Sequence, residues 1–235
     1  MVAVLAACAA PRLGAQERAA AGADSLVVRA FDLESTRPRD AVALYRRALA
    51  GETAVAALLG LERVFHEQGQ VDSLVPLVAQ VVRERPRDGV VRAVQLRTLA
   101  TLGRDDALRA AVREWLRSAP GEAAPYKEYA RTLLEMGRAE AADSVLEVAT
   151  RLVRDPRDFT AELAQVAAAR GQWGDAARRW RGALAIEPAL EAAATASLVQ
   201  APADARDTIR AGLAAPPLVA ARLALAQLEL AWGLP

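Results

Sequence analysis

The sequence holds a single cysteine, a single histidine, a single lysine and no asparagine. With Cys8 alone, no internal disulfide can form, and with His66 alone, no cluster of His and Cys metal ligands can be assembled. Any nucleophile–histidine–acid set would have to use His66, whose neighbour Glu67 is not followed by the second histidine of a zinc-peptidase helix. Lys127 has no glycine before it and no Ser or Thr after it, so it is not the lysine of a phosphate-cradling loop. The acidic pair Asp105-Asp106 stands just after a glycine, where carboxylates favour a helix N-terminus. Excess charge of one sign is lacking too. Lys+Arg 30 against Asp+Glu 29 leaves +1, which offers no electrostatic reason to bind nucleic acid. These counts predict a protein that is not an enzyme and needs no metal or other cofactor. With 53% hydrophobic residues and only Gly 14 and Pro 12, the chain is too apolar for disorder and too regular for low complexity. Two isoleucines (Ile186, Ile209) and abundant alanine favour helix over sheet.

The first residues are small and apolar. Leu13-Gly14-Ala15 before Gln16 has the small residues that a signal peptidase requires, so residues 1–16 read as a signal-like segment. The apolar run is shorter than the roughly 20 residues needed to span a bilayer, and no basic region precedes it. Leu5-Ala6-Ala7-Cys8 is also similar to a bacterial lipobox, whose cysteine is lipidated, although few residues stand before it. The expected location is periplasmic or secreted if this segment is a clipped signal peptide, and cytoplasmic otherwise.

What the sequence has in plenty is period. Gly69, Gly103, Gly137 and Gly171 follow one another at intervals of 34 residues, and Pro86, Pro120 and Pro188 keep the same phase. Apolar or small residues fill matching columns: Phe65, Leu99, Leu133 and Ala167 four before each glycine, and Leu74, Leu108, Ala142 and Ala176 five after. Two further columns follow, Val78, Val112, Leu146 and Trp180, then Val81, Trp115, Ala149 and Ala183. Steps of 4 and 3 put the later columns on one face of a second helix. The glycine marks the turn that ends the first helix, because a left-handed residue there costs Gly nothing. The proline closes the second helix.

Helix pairs of this length and pattern resemble the tetratricopeptide repeat (TPR) family, of bacterial type. Leu163, Ala164, Ala167, Gly171, Ala176, Trp180, Ala183 and Pro188 occupy its signature slots, and Tyr129, Ala130, Leu133, Gly137, Ala142, Leu146 and Ala149 do so one repeat earlier. Glu62 stands in a slot that is usually small and Gln95 in one usually apolar, which predicts weaker packing there. The resemblance implies an all-α fold, a right-handed superhelical solenoid of antiparallel helix pairs with about five and a half repeats. Residues 17–235 then form one solenoid with units at 21–54, 55–88, 89–122, 123–156, 157–190 and 191–217, and a half unit at 218–235. The first helix near 190–199 should be short, because the helix after it arrives five residues early.

The resemblance also implies that first helices line a concave groove able to hold an extended peptide or a partner's helix. Arg63, Arg97 and Arg131 recur at the repeat interval in a slot that faces this groove, and Lys127 and His66 share the face. Guanidinium groups offer forked donors to carboxylates or carbonyls. Glu67 and Glu135, each four residues on, leave open that Arg63 and Arg131 are paired within their own helices. The lysine–asparagine carboxylate clamp of the best-known peptide-binding relatives is absent. The last helix is apolar on two sides, with Leu218, Leu225, Leu228 and Trp232 on one and Val219, Leu223 and Leu230 on the other. Leu225, Leu228 and Trp232 are therefore expected at a C-terminal interface, with another protein or between copies of the chain. The function expected is a non-catalytic protein–protein interaction scaffold, which, if exported, would resemble the envelope proteins of this family that assist assembly of complexes. The alternative is the repeat-bearing part of a larger enzyme or sensor.

Overall fold

The computed structural model describes residues 24–214 and 217–233; the signal-like segment 1–16, with Cys8, lies outside them. Among the described residues all regular structure is helical, and no strand occurs. Among the described residues no helix is long and apolar enough to cross a membrane. Two compact units divide between Ser118 and Ala119, at the turn that carries Pro120 and Gly121.

The unit ending at Ser118 contains α1 (24–33), α2 (Pro38–Arg47), α3 (Ala54–Glu67), α4 (Val75–Glu84), α5 (Gly89–Thr101) and α6 (Asp105–Ser118). The unit from Ala119 contains α7 (Ala124–Glu135), α8 (Ala139–Leu152), α9 (Thr160–Ala169), α10 (Trp173–Ile186), α11 (Glu191–Leu198), α12 (Arg206–Ala214) and α13 (Val219–Ala231). Helix starts are set locally. Asp88 caps α5 by accepting hydrogen bonds from the N–H groups of Val90 (3.0 Å) and Val91 (3.2 Å), which satisfies two otherwise orphaned donors. α11 is the shortest of the first helices following the period, with 8 residues.

Turns inside the helix pairs repeat one hydrogen-bonded design. Gly69, Gly103, Gly137 and Gly171 hold φ at 65°, 64°, 71° and 72°. At Gly69 the glycine N–H donates to the His66 carbonyl (3.1 Å), and the N–H of Gln70 reaches back to Phe65 (2.8 Å). The other three turns make the same two bonds, ending on the carbonyls of Leu99, Leu133 and Ala167. This closure needs a left-handed residue, which explains the spacing of the glycines. The apolar columns lie between the helices, and none of their members exceeds 8% exposure. Fully burying such a leucine or valine contributes about 1.5–3 kcal/mol.

The two polar departures take part in contacts of their own. Arg92 is wholly buried on α5, and its Nε donates to the Pro86 carbonyl (2.9 Å). Its Nη1 donates to Gln95 Oε1 (3.0 Å) and its Nη2 to Glu114 of α6 (3.1 Å). Gln95 is thus the acceptor for a buried arginine, and Glu62 holds Arg97. Gly60, in contrast, is required by packing. A Cβ there would fall 2.2 Å from Cζ of Tyr45, whose ring lies across the helix.

Candidate functional site

Two arginines of the first unit sit on successive first helices, and each grips a carboxylate from the helix pair before it. Arg63 of α3 meets Glu34 through Nη2 (2.7 Å) and Nε (3.3 Å), with Phe31 under its guanidinium at 5.7 Å. The Tyr45 hydroxyl donates to the same carboxylate (2.5 Å). Burial, then this bond to Glu34, pushes the Tyr45 phenol far above its ordinary range. Hydrogen bonding to Glu34 likewise raises Arg63. Arg97 of α5 makes a two-pronged contact with Glu62 of α3, Nε to Oε1 at 2.9 Å and Nη2 to Oε2 at 2.8 Å. Planar forks of this kind are what distinguishes arginine from lysine. The Arg63 side chain stays 48% exposed and that of Arg97 29%, so both remain reachable from solvent. His66 is exposed near the end of α3.

In the second unit Lys127 of α7 meets Glu162 of α9 at 3.3 Å, again one helix pair away. The other oxygen of Glu162 is buried without a hydrogen-bond partner. Arg131 behaves differently, pairing within α7 with Glu128 and, at 4.0 Å, with Glu135. Of the cations named from sequence, three therefore bridge helix pairs and one pairs along its own helix. The residues that sequence reasoning missed are their carboxylates, Glu34, Glu62 and Glu162. A searchable signal existed for two of them: Glu62–Arg97 and Lys127–Glu162 are opposite charges 35 residues apart, one repeat plus one step.

The residues expected at a C-terminal interface pack instead inside the second unit. Leu228 is fully buried, while Leu225 and Trp232 pack on the same core as Ile209 and Leu213. The Trp232 indole N–H donates to the Val199 carbonyl (3.1 Å), and Arg206 and Arg210 lie over its ring at 5.1 and 5.7 Å. The reason is that α13 turns this side onto α11 and α12. Its outward side is the other apolar stripe, where Val219 and Leu230 are each 73% exposed and Leu223 50%. Among the described residues no group of His, Cys, Asp and Glu could hold a metal ion.

A 34-residue period, a left-handed glycine closing each first helix and small or apolar columns buried between the paired helices now stand together. The repeats resemble the tetratricopeptide type. No family model matches the chain, and no curated protein does. Among solved structures it is similar to TTC0263, a thermophilic TPR protein of Thermus thermophilus, at 19% identity and a TM-score of 0.49, covering 75% of this chain and 99% of that one. It is also similar to a chain of the APC/C hetero-tetramer Cut9–Hcn1, at 10% identity and a TM-score of 0.42, covering 88% of this chain. The match spans 46% of that second chain. In the helix pairs of this protein, Arg63, Arg97 and Lys127 reach between pairs from the first helices, and they are the candidate recognition surface.

Proposed function

We propose that the chain is a non-catalytic scaffold that binds a protein partner along the first helices of its TPR-type repeats. In the first unit the surface is Arg63 and Arg97, with His66 beside them. In the second it is Lys127 and Arg131. The observation that carries this reading is the recurrence, at one-repeat spacing, of solvent-reachable forked arginines that already hold carboxylates, the exposed Arg63 on Glu34 and the half-buried Arg97 on Glu62. Such a surface offers a donor and an acceptor side by side. An extended peptide backbone, which carries one N–H and one C=O per residue, matches it better than a run of acidic side chains would, since those would have to displace Glu34 or Glu62.

The test is a displayed library of random peptides selected on the full chain, followed by the paired exchange Glu62→Arg with Arg97→Glu. The exchange keeps an ion pair between α3 and α5 but reverses donor and acceptor. Selected peptides should lose about tenfold or more in affinity, or about 1.4 kcal/mol, while thermal stability is kept. Unchanged affinity would remove this surface from recognition. Export belongs to the same proposal. The small residues before Gln16 would release a scaffold into the cell envelope, where it would assist assembly of complexes. A mature chain beginning at Gln16 after bacterial expression would support export, and an uncleaved chain retained in the cytoplasm would remove it.

A further inference from the structure

We propose that the edge of the first unit at which α2, α4 and α6 end binds an acidic segment of a partner protein, independently of the first-helix surface. Successive helices of this unit reverse direction through short turns, so these three run the same way and finish at one edge. Contacts tie the ends together. Just past α4, Arg85 Nη2 donates to the Gly51 carbonyl in the connection after α2 (2.6 Å). Arg92 donates to the Pro86 carbonyl after α4 (2.9 Å) and also holds Glu114 of α6 (3.1 Å).

Ion pairing divides the arginines of this unit. Arg37, Arg63, Arg97, Arg104 and Arg109 each meet a carboxylate, as do Arg85 and Arg92 at the edge itself. Away from the edge, only Arg29 and Arg39 have no carboxylate partner among the described residues. The others without one all stand at the edge. They are Arg46 and Arg47 in the last turn of α2, Arg83 and Arg87 about the end of α4, and Arg113 and Arg117 in the last two turns of α6. All are exposed. Arg83 and Arg117 share one repeat slot, 14 residues after Gly69 and Gly103. The nearby carboxylates are partly engaged, since Asp88 caps α5 and Glu114 serves the buried Arg92, which leaves Glu52 and Glu84. The edge therefore carries an excess of unpaired positive charge. Helix dipoles alone do not account for it. They favour a cation at any helix C-terminus, yet α5, α7, α9, α10, α12 and α13 have none in their last turns.

The charge selects the partner. Guanidinium forks pair with carboxylates in two-pronged contacts. A fork that holds no carboxylate can gain one without displacing another, whereas Arg63 and Arg97 are already filled. A protein segment fits better than lipid or nucleic acid. Membrane-binding edges set aromatic or leucine anchors beside their cations, and single-stranded nucleic acid stacks on aromatic rings. Among the described residues the large apolar side chain exposed at this edge is Val90, and no aromatic ring is exposed there. The whole chain, at +1, also lacks the general field that draws nucleic acid.

Fluorescence anisotropy of a labelled decaglutamate peptide titrated with the full chain reads the contact. Binding should weaken as salt rises, and Arg83→Gln with Arg117→Gln should lower affinity about tenfold or more. Arg29→Gln with Arg39→Gln makes the same charge change away from the edge and should cost no more than about twofold. Thermal unfolding should be unchanged in both variants, because all four residues are exposed. The paired exchange Glu62→Arg with Arg97→Glu should bind decaglutamate as wild type does, which separates this edge from the first-helix surface. Absence of binding at low salt overturns the proposal. Equal losses in the two glutamine variants overturn it by reducing the effect to net charge, and a loss in the paired exchange overturns it by moving the peptide to the first helices. Tighter binding of phosphatidylglycerol vesicles or a single-stranded oligonucleotide, dependent on Arg83 and Arg117, overturns it in favour of lipid or nucleic acid.

Discussion

Gly137 and Gly60 look alike in the sequence and serve opposite physical ends. Gly137 holds φ at 71°, and a Cβ there would meet nothing within 4 Å. Substitution therefore probes the backbone alone. Gly137→Val should cost about 1–2 kcal/mol, since an L-residue is strained in the left-handed region. A urea midpoint equal to wild type would show that the turn tolerates a side chain. Gly60 needs no unusual φ, but a Cβ would lie within 2.6 Å of three atoms of the Tyr45 ring. Gly60→Ala should thus destabilise by overpacking, about 1–3 kcal/mol, and should disturb the hydrogen bond from Tyr45 to Glu34. A loss of melting temperature that Tyr45→Leu relieves would be the signature. The repeat interval pointed to Gly137 directly, whereas Gly60 required knowledge of which ring crosses α3.

Between elements, charge does what the apolar columns cannot, which is to tie one helix pair to the next at the surface. Arg97 and Glu62 join α5 to α3 in a partly buried fork. Arg97→Glu should destabilise more than Arg97→Gln, because it sets two carboxylates face to face. Adding Glu62→Arg should restore most of the loss, and a double-mutant cycle should read a coupling of about 0.5–3 kcal/mol. Additive effects would make the pair a bystander. At α13 the same logic gives a pH dependence. Hydrogen bonding to Arg210, the largest influence, holds the Glu229 carboxyl below its ordinary 4.5. A depressed carboxylate adds stability above its unfolded value and loses it as pH falls through the folded one. Hydrogen exchange of α13 should therefore quicken on acidification below about pH 4.5, and Glu229→Gln should flatten that response. An identical acid response in the variant would assign it to other carboxylates.

At the scale of the molecule, repeat stacks unfold in the cooperative blocks that their internal contacts define. The contacts here define two, divided after Ser118. Native-state hydrogen exchange read by mass spectrometry should give different denaturant dependences for segments within 24–118 and within 119–233. One common dependence would mean that both units open together. A repeating sequence pattern says little about such a division, because the period runs on through Gly103 and Gly137 without a break.

The sequence by itself determined the helix pairs, their turns and their buried columns. These depend on relations within about one repeat: a glycine that must be left-handed, a proline that cannot continue a helix, and apolar spacing at the helical period. It also pointed to Arg63, Arg97 and Lys127 as surface cations. Tertiary structure decided which carboxylates they hold, since Glu34, Glu62 and Glu162 come from neighbouring pairs whose approach no local rule fixes. It also decided the sidedness of α13. Both stripes of that helix are apolar, and hydrophobic pattern cannot rank one above the other. Packing on α11 and α12, with Trp232 bonded to Val199 and Glu229 to Arg210, buried Leu228 and left Leu223 and Leu230 facing out.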